Sequence, residues 1–527
     1  MRRILITALL ALAACSSAPD PMQEVSLDVP LNPETPPYSE TAITLIGSIT
    51  RADHQTYREI PFTVPPGTTL ISVEFSYDKE NRTVIDLGMR DPQGQRGWSG
   101  GNKSSFTIGD ITATPSYRAG AIQPGEWKLV LGIPNIREGQ TAAYTATIKF
   151  SKPPREFAPD DFLPPNPPTV LASAQGWYRG DFHAHTAHSD GSCDISGKRQ
   201  PCPAVNTFEA ARDAGLDFVA VTDHNTITQL PEIRFAQAKF PKTLLIPGTE
   251  VTTFFGHANV VGNSDFVDFQ LGSPRLPTLS KLFDEAAAQG ALVSVNHPSL
   301  PSGEVCMGCG WTVKDTDWSH VSAIEVINGG ALRTGGAETS TGGIAFWDKL
   351  LKQGFHITAI GGSDNHDATD RGGAKQSPVG VPATVVYAAD LSTKSIVDSV
   401  KSGHVFVDAA GLPGARLEMQ AFGNGAEAFM GGELRVKGGR GGGAIMDVLV
   451  AGAPAGWRVV LVGVNMTHSE PRPAMPMPRY PGFTPMHFTA DLAPEAAFGY
   501  LRPELRDASG KLLLLGNPIY FTRAGAP

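Results

Sequence analysis

The chain has 527 residues, 41% of them hydrophobic and 18% charged, which is enough apolar material for several packed domains of ~100–200 residues each. That balance excludes a disordered chain, and the frequent Gly (57) and Pro (43) carry no Gly-X-Y period, which excludes collagen. The formal net charge of −9 argues against a nucleic-acid partner, because binding a phosphate backbone needs concentrated Lys and Arg.

At the N-terminus Arg2 and Arg3 precede an apolar run, Ile4–Ala14, of 11 residues. This is too short to span a bilayer and the right size for the core of a signal peptide. The run closes Leu12-Ala13-Ala14-Cys15, which resembles the lipobox of bacterial lipoproteins. The resemblance implies a signal peptide over 1–15, lipid on Cys15 and, with Ser16 rather than Asp next, a periplasm-facing protein held at the outer membrane. An ordinary secretory peptide is the alternative. Residues 16–40, rich in Pro, Ser and Glu, read as a tether. The other cysteines are Cys193, Cys202, Cys306 and Cys309. In an oxidising compartment they would pair locally as Cys193–Cys202 and Cys306–Cys309. The rival arrangement is a four-thiolate zinc site, suggested by the knuckle-like spacing of Cys306 and Cys309.

Residues 41–150 carry short β-branched runs such as Thr69–Phe75, Trp127–Leu131 and Tyr144–Ile148, separated by Pro-Gly turns. They predict an antiparallel sandwich of about eight strands. No catalytic constellation falls in it, so it reads as an accessory or binding module. Residues 151–176 form a stiff Pro-rich linker. Over 177–410 the pattern turns to strand–helix alternation, with apolar strands at 217–222, 243–247, 291–295, 323–327, 357–361 and 384–388. Thr278 is positioned to cap a helix Leu279–Gln289, and Ser392 a helix Thr393–Ser402 ending at Gly403. Repeated βα units predict a parallel sheet closed into a barrel. Residues 411–527 return to strands and predict a second β-domain packed on the barrel.

Polar residues gather where the apolar strands end. In chain order these are His183, His185 and Asp190; Asp223 and His224; Glu250 and His257; His297; Glu325; and Asp364 and His366. Nine of the 13 histidines fall within 183–366. In a parallel barrel the C-terminal strand ends converge on one face, where active sites sit. A spacing of two, as in His183-x-His185 and Asp364-x-His366, puts both side chains on one side of a strand. Imidazole and carboxylate ligands without thiolate suit Zn, Mn or Fe. Nine candidate ligands exceed what one tetrahedral ion needs, so a centre of two or three divalent ions is expected.

The segments Asp181-Phe182-His183-Ala184-His185, Thr222-Asp223-His224-Asn225, Pro247-Gly248-Thr249-Glu250, Asn296-His297-Pro298 and Gly362-Ser363-Asp364-Asn365-His366 resemble, in order, the motifs of the PHP (polymerase and histidinol phosphatase) metallohydrolases. The strings Gly176–Asp181 and Asn517-Pro518-Ile519-Tyr520 look like its carbaryl-hydrolase-like branch. The resemblance covers about 177–410 and implies an α/β fold, a distorted (β/α)7 barrel flanked by the N-terminal β-sandwich and a C-terminal β-rich domain. It implies a first ion on His183, His185, Glu250 and Asp364. A second would sit on Asp190, His224 and His366 with Glu250 bridging, and His257 and His297 would serve a third ion or the substrate. Asn225 stands where some members have Asp. Asp223 would orient a ligand imidazole, His188 departs from the ligand pattern, and Glu325 would hydrogen-bond at the barrel end.

The expected reaction is hydrolysis of a small anionic ester, most simply a phosphodiester, through a hydroxide bridging two ions ~3.5–4 Å apart. His257 or His297 would protonate the leaving oxygen, and Arg179, Arg333 and Arg371 are candidate clamps for phosphoryl oxygens. Sparse basic residues in the motif loops favour a diester over a dianionic monoester. The alternatives are a phosphomonoesterase, a carbamate or carboxyl ester hydrolase, and a non-catalytic surface binding lipoprotein.

Overall fold

The computed structural model describes residues 40–153, 169–437 and 443–523. The expected signal peptide, the lipid anchor at Cys15, most of the tether and most of the Pro-rich linker lie outside the described residues. The first strands are β1 (Thr41–Thr50), β2 (Thr56–Val64), β3 (Leu70–Tyr77), β4 (Val84–Asp91), β5 (Gly94–Gly100), β6 (Ser105–Gly109), β7 (Gly125–Asn135) and β8 (Thr141–Ser151). They form two antiparallel four-stranded sheets, β1-β8-β3-β6 and β2-β7-β4-β5. On β8 the residues Ala142, Tyr144, Ala146, Ile148 and Phe150 are buried while the positions between them are more exposed. This is the period-two pattern of a strand with one face on a core. The inner faces bury Val73, Phe75, Trp127 and Leu129 between the sheets.

The next segment begins with β9 (Gly176–Asp181), the hairpin β10 (Ser192–Ile195) and β11 (Lys198–Pro201), α1 (Ala204–Asp213), β12 (Phe218–Val221) and α2 (Leu230–Ala236). It continues through β13 (Leu244–Thr252), β14 (His257–Val261), α3 (Leu279–Ala288), β15 (Leu292–Val295), β16 (Ala323–Asn328), α4 (Gly329–Thr334) and α5 (Ile344–Lys352). It ends with β17 (Thr358–Gly362), β18 (Ala383–Ala388), α6 (Thr393–Ser402) and β19 (Val405–Asp408). Ser392 caps α6 as expected, its Oγ accepting from the Ser395 amide at 3.1 Å, and Gly403 takes the left-handed position (φ 81°) that ends the helix. Thr278, by contrast, makes no side-chain cap bond to α3.

The strands run in the order β17-β16-β15-β14-β13-β12-β9-β18-β19. Two features depart from the expected closed barrel. First, β13, β14 and β15 pair antiparallel with no helix between β13 and β14. Second, the ladder stays open between β17 and β18. There the Thr384 hydroxyl donates to the Gly361 carbonyl at 2.7 Å and accepts from its amide at 2.8 Å, so a side chain takes the place of a backbone rung. Just beyond the strand ends the chain is tied again by the bridge Ala184↔Asn365. The Asp364 amide donates to the His183 carbonyl and the His185 amide to the Asn365 carbonyl, both at 2.9 Å.

The C-terminal strands are β20 (Arg416–Gly423), β21 (Ala426–Phe429), β22 (Glu433–Val436), β23 (Ala444–Ala451), β24 (Arg458–Val464), β25 (Met466–His468), β26 (Arg472–Pro473), β27 (Thr484–Leu492), β28 (Phe498–Arg506), β29 (Leu512–Gly516) and β30 (Ile519–Arg523). They do not merely pack on the barrel. β29 pairs with β19, so β28, β30 and β22 extend the same sheet. Asn517 stitches the join, its side chain bonding Ala359 of β17 and Val405 of β19 at 2.7–3.0 Å. β24 joins that sheet on β28, and the remaining strands form a sheet, β21-β20-β23-β27-β25 with β26 on β27, over a core of Leu417, Met419, Met446 and Phe488.

The sandwich docks through Trp98, which is 3% exposed. Its ring lies against Phe269 at 4.7 Å and over Gly88 and Gly132, where a Cβ would come within 2.5 and 2.7 Å of the indole. Tyr57 stacks on Phe254 at 4.7 Å beside it. The sandwich therefore stands over the end of the βα sheet where the polar motifs lie.

Candidate metal centre

Side chains that follow or sit on β9, β12, β13, β14, β15 and β17 meet around Glu250. Glu250 Oε1 lies 3.3 Å from His183 Nε2, 3.4 Å from His257 Nδ1 and 3.3 Å from His297 Nε2. Its Oε2 lies 3.5 Å from His185 Nε2 and 2.8 Å from His224 Nδ1. Asp364 Oδ1 is 3.3 Å from His183 Nε2 and 3.2 Å from His185 Nε2. Asp190 Oδ1 is 3.2 Å from His366 Nε2 and 3.6 Å from His224 Nε2.

Four overlapping groups have ligand atoms within 4.8 Å of one another: His185 with Asp190, His224 and His366; His183 with His185 and Glu250; His183 with His297 and Asp364; and Glu250 with His257 and His297. Buried polar atoms normally find hydrogen-bond partners. Here His183 Nε2, Asp190 Oδ1, Glu250 Oε2 and both ring nitrogens of His257 form none. Orphaned imidazole and carboxylate atoms facing one another suit divalent ions of the Zn, Mn or Fe type.

Neighbouring groups hold these side chains in place. Glu325 Oε1 pairs with His183 Nδ1 at 3.0 Å, and its Oε2 accepts from the His297 amide at 3.0 Å and from Asn328 Nδ2 at 3.1 Å. Asn296 Nδ2 donates to Glu250 Oε1 at 2.9 Å, and Asn328 Nδ2 to Asp364 Oδ2 at 3.2 Å. The Asp181 carboxylate accepts from the amides of His183, Ser363 and Gly380 at 2.8–3.1 Å. Asn225, His297 and Asp364 all have positive φ, at 54°, 28° and 52°. Non-glycine residues held there cost about 1–3 kcal/mol each, and such residues cluster at functional sites.

The charges balance through the imidazoles. Burial opposes ionisation of Glu250, but His183, His224 and His257 outweigh it and hold the carboxyl well below its ordinary range. Burial disfavours charge on His366 and His297. Asp190 nonetheless lifts His366 to about 10, and Glu250 lifts His297 to about 9. His185 goes the other way, to about 4, through burial and the neighbouring His366 and His224. His257 is also lowered by burial, against the pull of Glu250. Protons thus neutralise the carboxylates, and bound ions would displace them.

Several expected residues are not brought to this cluster. Arg333 donates to the carbonyls of Gly373 and Ala374, and Arg371 faces Asp213 at 3.5 Å. Both guanidiniums are engaged at the surface, away from the cluster. Arg179 is buried against Asp408 at 2.5 Å. Asp223 does not touch the cluster directly. It accepts from the Thr186 amide and hydroxyl at 2.8 and 2.7 Å and from Ser189 Oγ at 2.6 Å, and it reaches His185 only through Ser189, 3.4 Å from Nδ1. His188 is buried between Thr228 and Glu232 at 2.8 and 2.9 Å. The cysteines form the two disulfides Cys193–Cys202 and Cys306–Cys309, which leaves no four-thiolate site. The Cys309 carbonyl lies 2.7 Å from His297 Nδ1.

The part the sandwich takes in the site was not foreseen from the sequence. Lys103 Nζ reaches over the βα segment to the Ala187 and Ser189 carbonyls, both at 3.2 Å, and to Ser116 Oγ at 3.0 Å. Asn102 Nδ2 donates to the same Ser189 carbonyl at 3.0 Å, and Ser116 Oγ to the His188 carbonyl at 2.5 Å. Together they grip the turn that presents Asp190. A cavity of about 320 Å³ opens beside Asp190 and His224, and Tyr57, Asp86 and Trp98 of the sandwich form its far wall. No Lys or Arg lines it.

No protein-family profile matches the chain. Among curated proteins, an uncharacterized protein of Methanocaldococcus jannaschii is 28% identical over 153 residues, covering 28% of this chain and 81% of that protein. Among solved structures, a two-domain protein of Bacteroides vulgatus, described as containing a predicted PHP-like metal-dependent phosphoesterase, is 17% identical with a TM-score of 0.35, covering 68% of this chain and 99% of that one. A metal-dependent phosphoesterase assignment from Bifidobacterium adolescentis is 15% identical with a TM-score of 0.25, covering 39% and 90%. At TM-scores this low neither likeness determines the fold or the reaction of this chain.

Proposed function

We propose that the chain is a metal-dependent phosphoesterase of the PHP type, built on a distorted, seam-open form of the (β/α)7 barrel. The observation that carries this reading is the convergence on Glu250 of imidazoles and carboxylates from six separate strands, several with orphaned ligand atoms. His183, His185, Glu250 and Asp364 would hold one ion and Asp190, His224 and His366 a second, with His257 and His297 beside Glu250 available to a third. When bound, such ions would neutralise phosphoryl charge and acidify a water molecule.

The chain's own residues supply the rest. Glu325 orients His183 through Nδ1, and the Cys309 carbonyl holds a proton on His297 Nδ1, so His297 presents Nε2 to Glu250. His257 faces Glu250 with Nδ1 and keeps Nε2 free. With the proton on Nδ1, that atom is the best placed to accept a proton from the attacking water and hand it on to a leaving oxygen. The absence of Lys and Arg from the cavity lining favours a monoanionic diester over a dianionic monoester. The aromatic side of the cavity, with no Lys or Arg to bind an anion, also supports the rival reading, a neutral carbamate or carboxyl ester. Turnover of bis(p-nitrophenyl) phosphate, p-nitrophenyl phosphate and 1-naphthyl N-methylcarbamate with Mn or Zn separates them, and activity on the carbamate alone refutes the phosphoesterase.

Export and anchoring at the outer membrane through Cys15 are proposed on the lipobox resemblance alone. Palmitate labelling that persists in Cys15→Ser would refute them.

A further inference from the structure

The cavity beside Asp190 and His224 has a half that the proposed reaction does not use. Its walls there are Tyr57 on β2, Asp86 on β4 and Trp98 on β5, with Phe254 closing one side. Asp86 is half-buried and forms no hydrogen bond or ion pair among the described residues. Burial pushes its carboxyl up to about 7, with only His224 pulling the other way. Asp86 Oδ1 and Trp98 Nε1 both lie 3.9 Å from where a Cβ on Gly100 would stand. Gly100, at φ 56°, leaves that floor bare, so an acceptor and a donor flank an open patch of backbone. The second carboxylate of this half, Glu304, is already taken by Arg137 at 2.6 Å.

An unpaired carboxylate partly removed from water is destabilising unless a ligand supplies its counter-charge. The lining offers no Lys or Arg to do so. A carboxylate set among aromatic side chains is the chemistry that holds alkylammonium groups.

We infer that the N-terminal sandwich builds a subsite for the organic arm of the ester at Asp86, Tyr57 and Trp98, and that this arm carries an alkylammonium group, making the substrate a phosphodiester of an amino alcohol. The inference rests on the phosphoesterase reading. In the reaction the oxygen of water bonds to phosphorus, one phosphorus–oxygen ester bond breaks, and a proton passes to the departing alcohol. Asp86 takes no part in these bond changes. It binds the arm and positions it.

The test uses the full chain loaded with Mn or Zn and two esters that differ only in the charge, 2-aminoethyl p-nitrophenyl phosphate and ethyl p-nitrophenyl phosphate. The wild type should show kcat/KM about tenfold higher for the aminoethyl ester, and Asp86→Asn should bring the ratio close to one. Equal kcat/KM in the wild type overturns the inference without any variant, as does an Asp86→Asn that lowers both esters alike. Calorimetric titration of ethanolamine against ethanol reads the subsite without turnover. Ethanolamine binding that is lost in Asp86→Asn, with neither ester hydrolysed, supports the subsite and refutes the phosphoesterase. Hydrolysis of both esters with no preference for ethanolamine refutes the subsite alone.

Discussion

Lys103→Met should weaken the second ion while sparing the first. The lysine belongs to the sandwich, yet its ammonium joins Ser116 Oγ to the carbonyls of Ala187 and Ser189 over 3.0–3.2 Å. Asp190 follows directly in the chain and faces His224 and His366. Methionine keeps the length of the stem and removes the donors. Hydrogen bonds to charged groups are worth about 1.5–3 kcal/mol. The Ser189 carbonyl keeps Asn102 as a donor, and the lysine is partly exposed, so the lower end applies, about 1.5 kcal/mol. If that free energy now holds the Asp190 turn in place, its loss lowers second-ion affinity about tenfold, in the range seen when an outer partner of a metal ligand is removed. Titration of Mn into metal-free wild type and Lys103→Met measures both steps. The first ion, on His183, His185, Glu250 and Asp364, should bind within about threefold of the wild type. Equal affinities for both ions in the two proteins would refute the clamp, and a parallel loss of both would mean general unfolding rather than a local effect.

Glu325→Gln removes the charge facing His183 Nδ1 at 3.0 Å and should cost about 10–100-fold in first-ion affinity; an unchanged affinity would show that Glu325 only supports the backbone at His297. Arg333→Ala and Arg371→Ala should keep kcat/KM within about twofold, because one guanidinium holds carbonyls and the other Asp213; a drop of a hundredfold in either would restore that arginine as a phosphoryl clamp. In the metal-free protein His297 and His366 are raised to about 9 and about 10 from an ordinary 6.5. The folded state therefore holds protons more tightly than the unfolded chain, and this stabilisation is complete below about pH 6.5 and lost as pH rises through about 10. The unfolding midpoint without metal should fall across that window, and a midpoint that rises there would contradict the charge balance described.

Most of the candidate ligands could be read from the sequence because they follow or lie near the end of an apolar strand, and strand ends in a βα sheet converge; His257 instead opens β14. His183, His224, His297 and Asp364 needed no knowledge of packing beyond that rule. The sandwich residues were invisible for the opposite reason. Tyr57, Asp86 and Lys103 are scattered through a region with no cluster of its own, and they matter only because Trp98 docks on Phe269. Arg333 and Arg371 lie apart from the cluster, because closeness in sequence to a motif does not determine where a long side chain finds its partner. The closed barrel misled because a short apolar strand reads alike whether it pairs parallel or antiparallel, which hid the antiparallel run β13–β14–β15 and the Thr384 seam. The join of the C-terminal strands to the same sheet, made by β29 on β19, is reinforced by Asn517, whose bonds to Ala359 and Val405 no local pattern announces.

The central claim is that Glu250 is the hub of a centre holding more than one divalent ion. Anomalous diffraction from crystals grown with Mn tests it most directly. The account predicts one peak among His183, His185, Glu250 and Asp364 and another among Asp190, His224 and His366. A single ion bound away from Glu250, or no peak within the cluster at saturating Mn, would contradict it.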